Sequence, residues 1–340
     1  MTARQVSNLS ARVIASEMRR RFENELQPHA LLSHLTNSEL AQELARRSVQ
    51  LKHAAWYAPI DDRKDPFIAP AISRGVYAHA RRTCYLIGAA AIASQNAQRV
   101  RLHHANYGTY NSLCTDEPFT HQPVVVERNA ESYGDYGYTG YLIEPDQVLT
   151  CWHGWKDFSY EPQIAIFGYA ATSGSEYTTE LRSENVVPVH LYPAKRPTGL
   201  HSTSSVANDW VVLRLERPVT HIKLTLRHRL SAPRVGQAVY TLGYPCGLPL
   251  KLADNATVLS ESSQEFRANL DTYSGNSGSP VFDALTHDLL GLVVAGQKGQ
   301  GDFEAVPARK CYVSNRIDHE VTGQVALSSM CFEAAVNKSI

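Results

Sequence analysis

One loop, residues 271–282, constrains most strongly what this chain can fold into. It reads Asp-Thr-Tyr-Ser-Gly-Asn-Ser-Gly-Ser-Pro-Val-Phe, with Gly275 and Gly278 on either side of Ser277 and Pro280 before an apolar run. Small residues around one hydroxyl allow a forced backbone shape that aims the N–H groups of Gly275 and Ser277 at one point. Two such donors beside a nucleophile form an oxyanion hole, each worth about 2.7–4 kcal/mol. The alternative interpretation is an ordinary Gly/Ser turn between strands.

A serine hydroxyl is a poor nucleophile at neutral pH, so this loop needs a base from elsewhere in the chain. His153 is the candidate, because a strand-like run ends at Thr150 and the small Gly154 follows the histidine. The imidazole in turn needs a buried acceptor for its second N–H. Asp209 fits, because it leads into the apolar run 210–213 and an unpaired buried carboxylate is costly. The alternatives are a histidine packed between two tryptophans and an aspartate that caps a loop.

The chain after about residue 102 is dominated by short β-branched runs separated by turn residues. This pattern is typical of a β-sandwich or barrel. Strands are predicted at residues 124–126, 138–143, 148–150, 164–166, 210–213, 238–242, 280–282 and 289–294. No internal repeat or low-complexity tract interrupts them.

The first 105 residues instead predict helices. Apolar residues recur at helical spacing from Val13 to Leu26, and residues 36–39 have the spacing of a capping box. A third, Ala-rich helix is expected from Ile68 to Ala97. This segment is also basic, with 15 Lys and Arg against 8 Asp and Glu. Its charge predicts a solvated surface, or a contact with an acidic partner domain.

Composition excludes several classes of protein. A net charge of zero and a pI of about 7.2 do not give the chain the overall positive charge that is typical of nucleic-acid-binding proteins. The longest apolar run, residues 85–93, is too short to span a bilayer, and no secretory signal is visible. The six cysteines stand singly without a C-x-x-C pair, which argues against zinc and favours reduced thiols. We therefore expect a cytoplasmic protein, with a leaderless or specialised export route as the alternative.

The candidate residues follow the chain order His153, Asp209, Ser277, which is the chymotrypsin order rather than that of subtilisins or α/β-hydrolases. The chain resembles chymotrypsin/trypsin-fold serine proteases, and more closely their bacterial V8-like and glutamyl endopeptidase branch. The matching stretches are residues 139–143, 209–213, 243–245, 274–280 and 291–296. The resemblance covers residues 106–325. It implies a mostly β fold, a chymotrypsin-like double antiparallel β-barrel of six strands each, without a metal or an organic cofactor.

The sequence departs from the family pattern at four positions. Asn276 stands where trypsin-like zymogens carry the aspartate of an activation salt bridge. Gly154 replaces the cysteine that usually follows the histidine, and Trp152 is bulkier than the usual neighbour. Val294 lacks the hydroxyl that often supports the catalytic aspartate. The three-residue set remains intact, so these departures concern regulation and rate.

The resemblance also implies substrate-binding positions. A substrate backbone would pair as an added strand with residues 293–296, namely Val293, Val294, Ala295 and Gly296. Asp271 and Thr272 fall on the primary pocket, where Asp271 favours Lys or Arg. Lys310 is aligned with the opposite wall, where it would cancel that charge. The histidine that helps glutamyl endopeptidases bind a carboxylate corresponds to Val293, so glutamate specificity is unsupported.

The sequence thus predicts a serine endopeptidase. An N-terminal helical extension spans residues 1–105, the protease domain spans residues 106–325, and a C-terminal tail spans residues 326–340. Protein or peptide substrates are expected, with no nucleic acid or membrane partner. Two alternatives stay open. The protease fold could serve as a catalytically weak or inactive peptide-binding module. The helical part could instead be an adaptor that recruits or restrains the protease.

Overall fold

The computed structural model describes residues 63–69, 72–128, 136–158, 161–173, 176–197, 206–224, 229–296, 301–315 and 324–336. The helices predicted before residue 63, and any partner contact they make, lie outside these residues. The described chain is mostly β, and its strands form two large antiparallel assemblies. The predicted fold class is confirmed.

The first assembly is a six-stranded sheet of order β12-β8-β1-β6-β7-β13. Its strands are β1 (Thr83–Gly88), β6 (Tyr138–Glu144), β7 (Gln147–Thr150), β8 (Gln163–Phe167), β12 (Val186–Val189) and β13 (Val211–Arg214). Its two edges approach each other, because the His190 N–H donates to the Arg214 carbonyl at 2.9 Å and the Glu216 N–H to the Pro188 carbonyl at 2.9 Å. The sheet is therefore a partly closed barrel rather than the closed one predicted.

The second assembly is a closed barrel of order β14-β15-β16-β21-β18-β17. Its strands are β14 (Ala238–Gly243), β15 (Lys251–Glu261), β16 (Glu265–Ala268), β17 (Pro280–Asp283), β18 (Leu289–Ala295) and β21 (Gln324–Ser328). Closure removes the exposed sheet edges. The second predicted barrel is confirmed, although its last strand lies partly in the segment predicted as a C-terminal tail.

Smaller elements surround the two assemblies. A three-stranded sheet contains β2 (Ile92–Gln95), β3 (Arg99–Leu102) and β11 (Glu180–Arg182). Two-stranded pairs join β4 (His104–Asn106) to β5 (Pro123–Val125), β9 (Ala171–Ser173) to β10 (Glu176–Tyr177), and β19 (Phe303–Val306) to β20 (Cys311–Ser314). The described helices are α1 (Arg74–Arg82), α2 (Tyr107–Tyr110), α3 (Trp152–Phe158) and α4 (Glu333–Val336), with short 3-10 turns between strands. No described helix is long and apolar enough to cross a membrane.

The helix predicted from Ile68 to Ala97 is wrong in its second half. Helix α1 ends at Arg82, and β1 follows with every residue buried. Strand β1 is central in the first sheet, where Cys84 pairs with Gly140 of β6 and with Phe167 of β8. A strand buried on both faces is a continuous apolar run, which periodicity does not separate from a buried helix. The β structure therefore begins before residue 106.

The segment that precedes α1 docks on the second barrel. Lys64 exchanges two backbone hydrogen bonds of 2.8 Å with Leu252 of β15. Asp65 forms an ion pair with Lys251, whose side chain is almost fully buried. The guanidinium of Arg63, 4% exposed, lies 4.2 Å from the ring centroid of Tyr273. This part of the predicted N-terminal extension thus packs directly against the β domain.

Two of the six cysteines are not free thiols. Cys114 and Cys311 form a disulfide that ties the chain after α2 to strand β20. The expectation of reduced thiols is therefore wrong for this pair, which stands 197 residues apart in the sequence. Sequence spacing carries no information about such a distant pairing. Cys84, Cys151, Cys246 and Cys331 are free thiols.

Candidate active site

The residues predicted as base and orienting acid come from the first sheet. His153 lies in the first turn of α3, directly after β7. Asp209 stands between a 3-10 turn, Val206–Asn208, and β13, the strand that pairs with β7. Strand β7 therefore ends where its antiparallel neighbour β13 begins, which brings these side chains together. The carboxylate of Asp209 accepts from the His153 backbone N–H at 2.9 Å and contacts Nδ1 at 2.7 Å.

The predicted nucleophile comes from the second barrel. Ser277 lies in the loop before β17, and its Oγ is 2.9 Å from Nε2 of His153. The imidazole is thus held between a carboxylate and a hydroxyl, at distances suited to proton transfer. The described structure brings all three predicted residues into one hydrogen-bonded chain. Nucleophilic catalysis by serine requires this arrangement, in which the imidazole lies between the carboxylate and the hydroxyl.

The loop around Ser277 has the backbone shape that its glycines predict. Gly275 and Gly278 have φ angles of +89° and +84°. A Cβ on Gly275 would lie 2.4 Å from the Tyr244 carbonyl, and one on Gly278 would lie 2.2 Å from the Thr139 carbonyl. Because no other residue fits both the angle and the space, each glycine is required. Among the described residues, no protein acceptor takes the N–H groups of Gly275 and Ser277.

Asn276 is held by neutral hydrogen bonds. It is 3% exposed, and its side chain donates to the Tyr273 carbonyl at 3.2 Å and accepts from Ser279 Oγ at 3.2 Å. Its backbone N–H also donates to the Tyr273 carbonyl. A Cβ on Gly243 would collide with both the Asn276 and Ser279 side chains, which explains the glycine of residues 243–245. The loop thus keeps its shape in this structure through bonds within the domain.

The two assemblies meet at Thr139 of β6. Its hydroxyl donates to the Gly275 carbonyl at 2.7 Å and accepts from the Tyr244 N–H at 3.2 Å. Its backbone N–H donates to the Ser277 carbonyl at 2.9 Å. One fully buried residue of the first sheet therefore fixes the serine loop of the second barrel. This arrangement sets the distance between His153 and Ser277.

The electrostatics of His153 favour its charged form. Burial by itself would lower the pKa of the imidazole, because it disfavours a charge. The sulfur of Cys151, 3.8 Å from Nε2, and the carboxylate of Asp209 act in the opposite direction. Together they raise the pKa of His153 above its usual 6.5. Cys151 was not among the predicted site residues, although it stands only two positions before His153.

A cavity of about 270 Å³ opens beside Ser277. Its described lining includes Thr272, Val293, Ala295 and Gly296, four of the six predicted substrate-binding residues. Val294 is not among the described lining residues; its side chain belongs to the hydrophobic core and is 6% exposed. The cavity therefore lies directly beside the predicted nucleophile.

The two residues expected to set specificity are placed differently. Asp271 is half-buried and is not part of the cavity lining. Lys310 is exposed in the turn between β19 and β20 and does not line the cavity either. The alignment of Lys310 with the opposite wall is wrong, because β21 rather than β20 pairs with β18. Gln324, the first residue of β21, lines the cavity instead.

Sequence reasoning missed two polar residues of the cavity, Asp302 and Gln324. Asp302 follows a Gly-rich stretch with no motif around it. Gln324 begins the run Gln-Val-Ala-Leu-Ser, which has the length and β-branched content of a short strand. The sequence was sufficient to predict this run as a strand, but it did not indicate which strand it pairs with.

Residues 138–292 match the family model of the trypsin-like peptidase domain. The match contains His153, Asp209 and Ser277, and no curated protein sequence matches the chain. Among the described residues, no group of three or more His, Cys, Asp or Glu side chains could hold a metal ion.

Solved structures of proteases are similar to this chain at low sequence identity. The Rv3671c protein of M. tuberculosis H37Rv, a mutant in its inactive form, is 14% identical with a TM-score of 0.43. The match covers 80% of this chain and 93% of that one. A glutamyl endopeptidase in complex with MPD is 18% identical with a TM-score of 0.42, covering 72% of this chain and 96% of that one.

Proposed function

We propose that the protein is a serine endopeptidase that hydrolyses peptide bonds of protein substrates through an acyl-enzyme. The observation that carries this proposal is the position of His153, whose Nδ1 and Nε2 lie 2.7 Å from Asp209 and 2.9 Å from Ser277. A trypsin-like peptidase domain containing all three residues supports it further. The V8-like branch is the nearest family resemblance in the motifs, and we propose that subtype without its glutamate specificity.

His153 acts first as general base and then as general acid. It takes the proton of the Ser277 hydroxyl while Oγ attacks the carbonyl carbon of the scissile bond. The protonated imidazole, stabilised by Asp209, then donates this proton to the leaving amine. The acyl group stays on Ser277 until water, activated by the same imidazole, attacks the ester and releases the acid.

The tetrahedral oxyanion is bound by the backbone N–H groups of Gly275 and Ser277. Both donors lack a protein acceptor among the described residues, and the loop that carries them is fixed before substrate arrives. Preorganised donors of this kind contribute about 2.7–4 kcal/mol each. The carbonyls of these same two residues are held by Thr139. The loop is therefore built to leave two N–H groups for the substrate.

The substrate backbone pairs with the end of β18. The chain before β17 pairs with β18 as far as Val293, whose N–H donates to the Ser279 carbonyl at 2.9 Å and whose carbonyl accepts from the Gly278 N–H at 2.7 Å, so β18 continues past this neighbour. An extended peptide can add there as a strand beside residues 294–296, the mode expected for a protease substrate. Its side chain before the cleaved bond then enters the cavity next to Ser277.

Turnover of an unfolded protein by the full-length chain tests this proposal. We expect Ser277→Ala to abolish cleavage, because the variant lacks the hydroxyl that attacks the substrate. The temperature of thermal unfolding should stay nearly unchanged, because only one oxygen atom is removed. Ser260→Ala, which changes an exposed serine of β15, is the matched control and should cleave normally. Equal cleavage by wild type and Ser277→Ala would reject the proposal. Specific binding of extended peptides without cleavage by the wild type would support a peptide-binding module instead.

A further inference from the structure

The geometry points to Arg63 as a positioning residue of the oxyanion hole, which acts through Tyr273 on the N–H group of Gly275. This inference rests on the proposed endopeptidase function and deepens it, because it adds a residue from the segment before α1 to the same site. Arg63 lies in the part of the chain that the sequence predicts as an N-terminal extension, and it is not part of the described cavity lining beside Ser277.

The direction of the Gly275 N–H is set by the residue before it. In a trans peptide, the N–H of Gly275 and the carbonyl of Ser274 point in opposite directions. That carbonyl accepts from the Cys246 N–H at 2.5 Å, and the Ser274 N–H donates to both carboxylate oxygens of Asp302 at 3.1 Å. The Gly275 donor therefore keeps its direction only while Ser274 stays bound on both sides.

Tyr273 holds the same turn from its first residue. Its carbonyl accepts from the Asn276 N–H at 3.0 Å and from the Asn276 side chain at 3.2 Å. Both hydrogen bonds span the peptide that carries the Gly275 N–H, so a shift of Tyr273 changes the shape of the turn 273–276. The contacts that fix Tyr273 therefore also fix the oxyanion hole.

The guanidinium of Arg63 packs on the ring of Tyr273. Its Cζ lies 4.2 Å from the centroid of that ring and 5.2 Å from the centroid of the Phe119 ring. Arg63 is 4% exposed, so water competes little for the cation, and the attraction between a cation and an aromatic face is strongest when both are desolvated. Both rings pack against one hydrophobic cluster of the described chain. The buried cation therefore holds the Tyr273 ring against this cluster.

The charge of Arg63 also acts on the residue that binds the Ser274 carbonyl. Burial, and then the carboxylate of Asp302, raise the pKa of the Cys246 thiol well above its ordinary value, and the charge of Arg63 acts in the opposite direction. The sulfur of Cys246 lies 3.7 Å from Oδ2 of Asp302. The guanidinium therefore lies near both residues, Tyr273 and Cys246, that hold the turn.

The segment that carries Arg63 is docked by contacts of its own. Lys64 exchanges two backbone hydrogen bonds of 2.8 Å with Leu252 of β15. Asp65 forms an ion pair with Lys251 of the same strand, and this lysine is 2% exposed. These contacts place the Arg63 side chain before a substrate binds, so it supports the turn without a rearrangement.

Cleavage of a peptide by full-length Arg63→Met tests the inference. Methionine keeps a long apolar side chain but removes the charge and the planar group. Loss of one oxyanion donor costs about 10²–10³ in kcat, so a displaced donor should lower kcat by at least about tenfold, with KM unchanged within about threefold. Arg63→Lys keeps the charge but not the planar group, and its kcat should lie between those of Arg63→Met and the wild type. Arg99→Met, which changes an exposed arginine of β3, is the matched control and should cleave like the wild type.

The pH dependence of fluorophosphonate labelling separates positioning from a general loosening of the site. His153 and Asp209 adjoin strands of the first sheet, whereas the segment of Arg63 docks on the second barrel. Arg63→Met should therefore lower the plateau of the labelling rate and leave its pH midpoint unchanged. A midpoint that moves together with the plateau would show a disturbed triad and would contradict the inference.

A double-mutant cycle tests whether Arg63 acts through Tyr273. Tyr273→Leu removes the ring and should by itself lower kcat by at least about tenfold. Because the two residues act as a unit, adding Arg63→Met to Tyr273→Leu should lower kcat by no more than about threefold further. Effects that multiply would contradict the inference. If Arg63→Met does not fold, the cycle uses Arg63→Lys, which should lower kcat in the wild type and not in Tyr273→Leu; equal loss, or no loss, in both backgrounds contradicts the inference.

The outcomes separate this inference from the peptidase proposal. A folded wild type that neither cleaves peptides nor reacts with a fluorophosphonate counts against the peptidase proposal. A wild type that is labelled on Ser277, together with Arg63→Met that is labelled at the same rate, overturns this inference alone.

Discussion

The hydroxyl of Thr139 joins the first sheet to the serine loop, donating to the Gly275 carbonyl at 2.7 Å and accepting from the Tyr244 N–H at 3.2 Å. It is fully buried, so neither partner has water as a substitute. Because Gly275 stands two residues before Ser277, this contact controls where the nucleophile lies relative to His153.

Replacement of Thr139 by valine should therefore damage both stability and activity. The change keeps the shape but leaves two buried polar groups without a partner, at about 1–3 kcal/mol each. We expect a lower free energy of unfolding in urea and a lower rate of fluorophosphonate labelling. Thr139→Ser keeps the hydroxyl and is the matched control. A valine variant as stable and as fast as the serine variant would show that this contact does not position the loop.

Gly278→Ala should inactivate the protein more severely than a substitution at another glycine. A Cβ at Gly278 would meet the Thr139 carbonyl and the Thr150 hydroxyl at 2.2 Å, on a backbone with a φ of +84°. Gly236 has a similar φ of +82° but open space around it, so Gly236→Ala measures the backbone strain alone. We expect Gly278→Ala to lose labelling while Gly236→Ala keeps it, and equal labelling of the two variants would contradict the clash.

The rate of labelling should rise with pH through an apparent pKa above 6.5. The imidazole must be neutral to accept the serine proton, and Cys151 and Asp209 outweigh burial and raise its pKa. Asp209→Asn should move the midpoint down and lower the plateau. The same ion pair stabilises the fold fully below the unfolded pKa of about 6.5, and this contribution is lost as pH rises through the folded value. A midpoint at or below 6.5 in the wild type would contradict the raised pKa.

A chain that begins at residue 106 should fail to fold. Strand β1 occupies the middle of the first sheet, between β6 and β8, and all its residues are buried. Without β1, strands β6 and β8 would both lose the strand with which they pair. We expect circular dichroism to show loss of cooperative thermal unfolding relative to the full chain. A stable, labelled 106–340 chain would mean that β1 is dispensable.

The sequence was sufficient to predict those parts of the site that depend on local chemistry. Gly275, Ser277 and Gly278 carry their backbone requirement in a few residues, and His153 and Asp209 each adjoin a recognisable strand. Their order along the chain then implied how they meet.

The parts that were missed depend on long-range pairing. The pairing of β21 with β18 places Gln324 in the cavity lining, whereas Lys310 lies in the turn between β19 and β20. The disulfide between Cys114 and Cys311 depends on the same distant arrangement. Strand β1 was mistaken for helix because burial on both faces removes the alternation that marks a strand. Such features are fixed by tertiary structure and not by local sequence.

The most direct test of the account maps the covalent adduct of a fluorophosphonate on the full-length protein by peptide mass spectrometry. A hydrogen-bonded chain from Asp209 through His153 to Ser277 activates one hydroxyl among all the serines. We predict a single adduct on Ser277, formed by the folded wild type and absent from His153→Ala. Folded protein that forms no adduct, or an adduct on Ser277 that persists in His153→Ala at the same rate, would contradict the account.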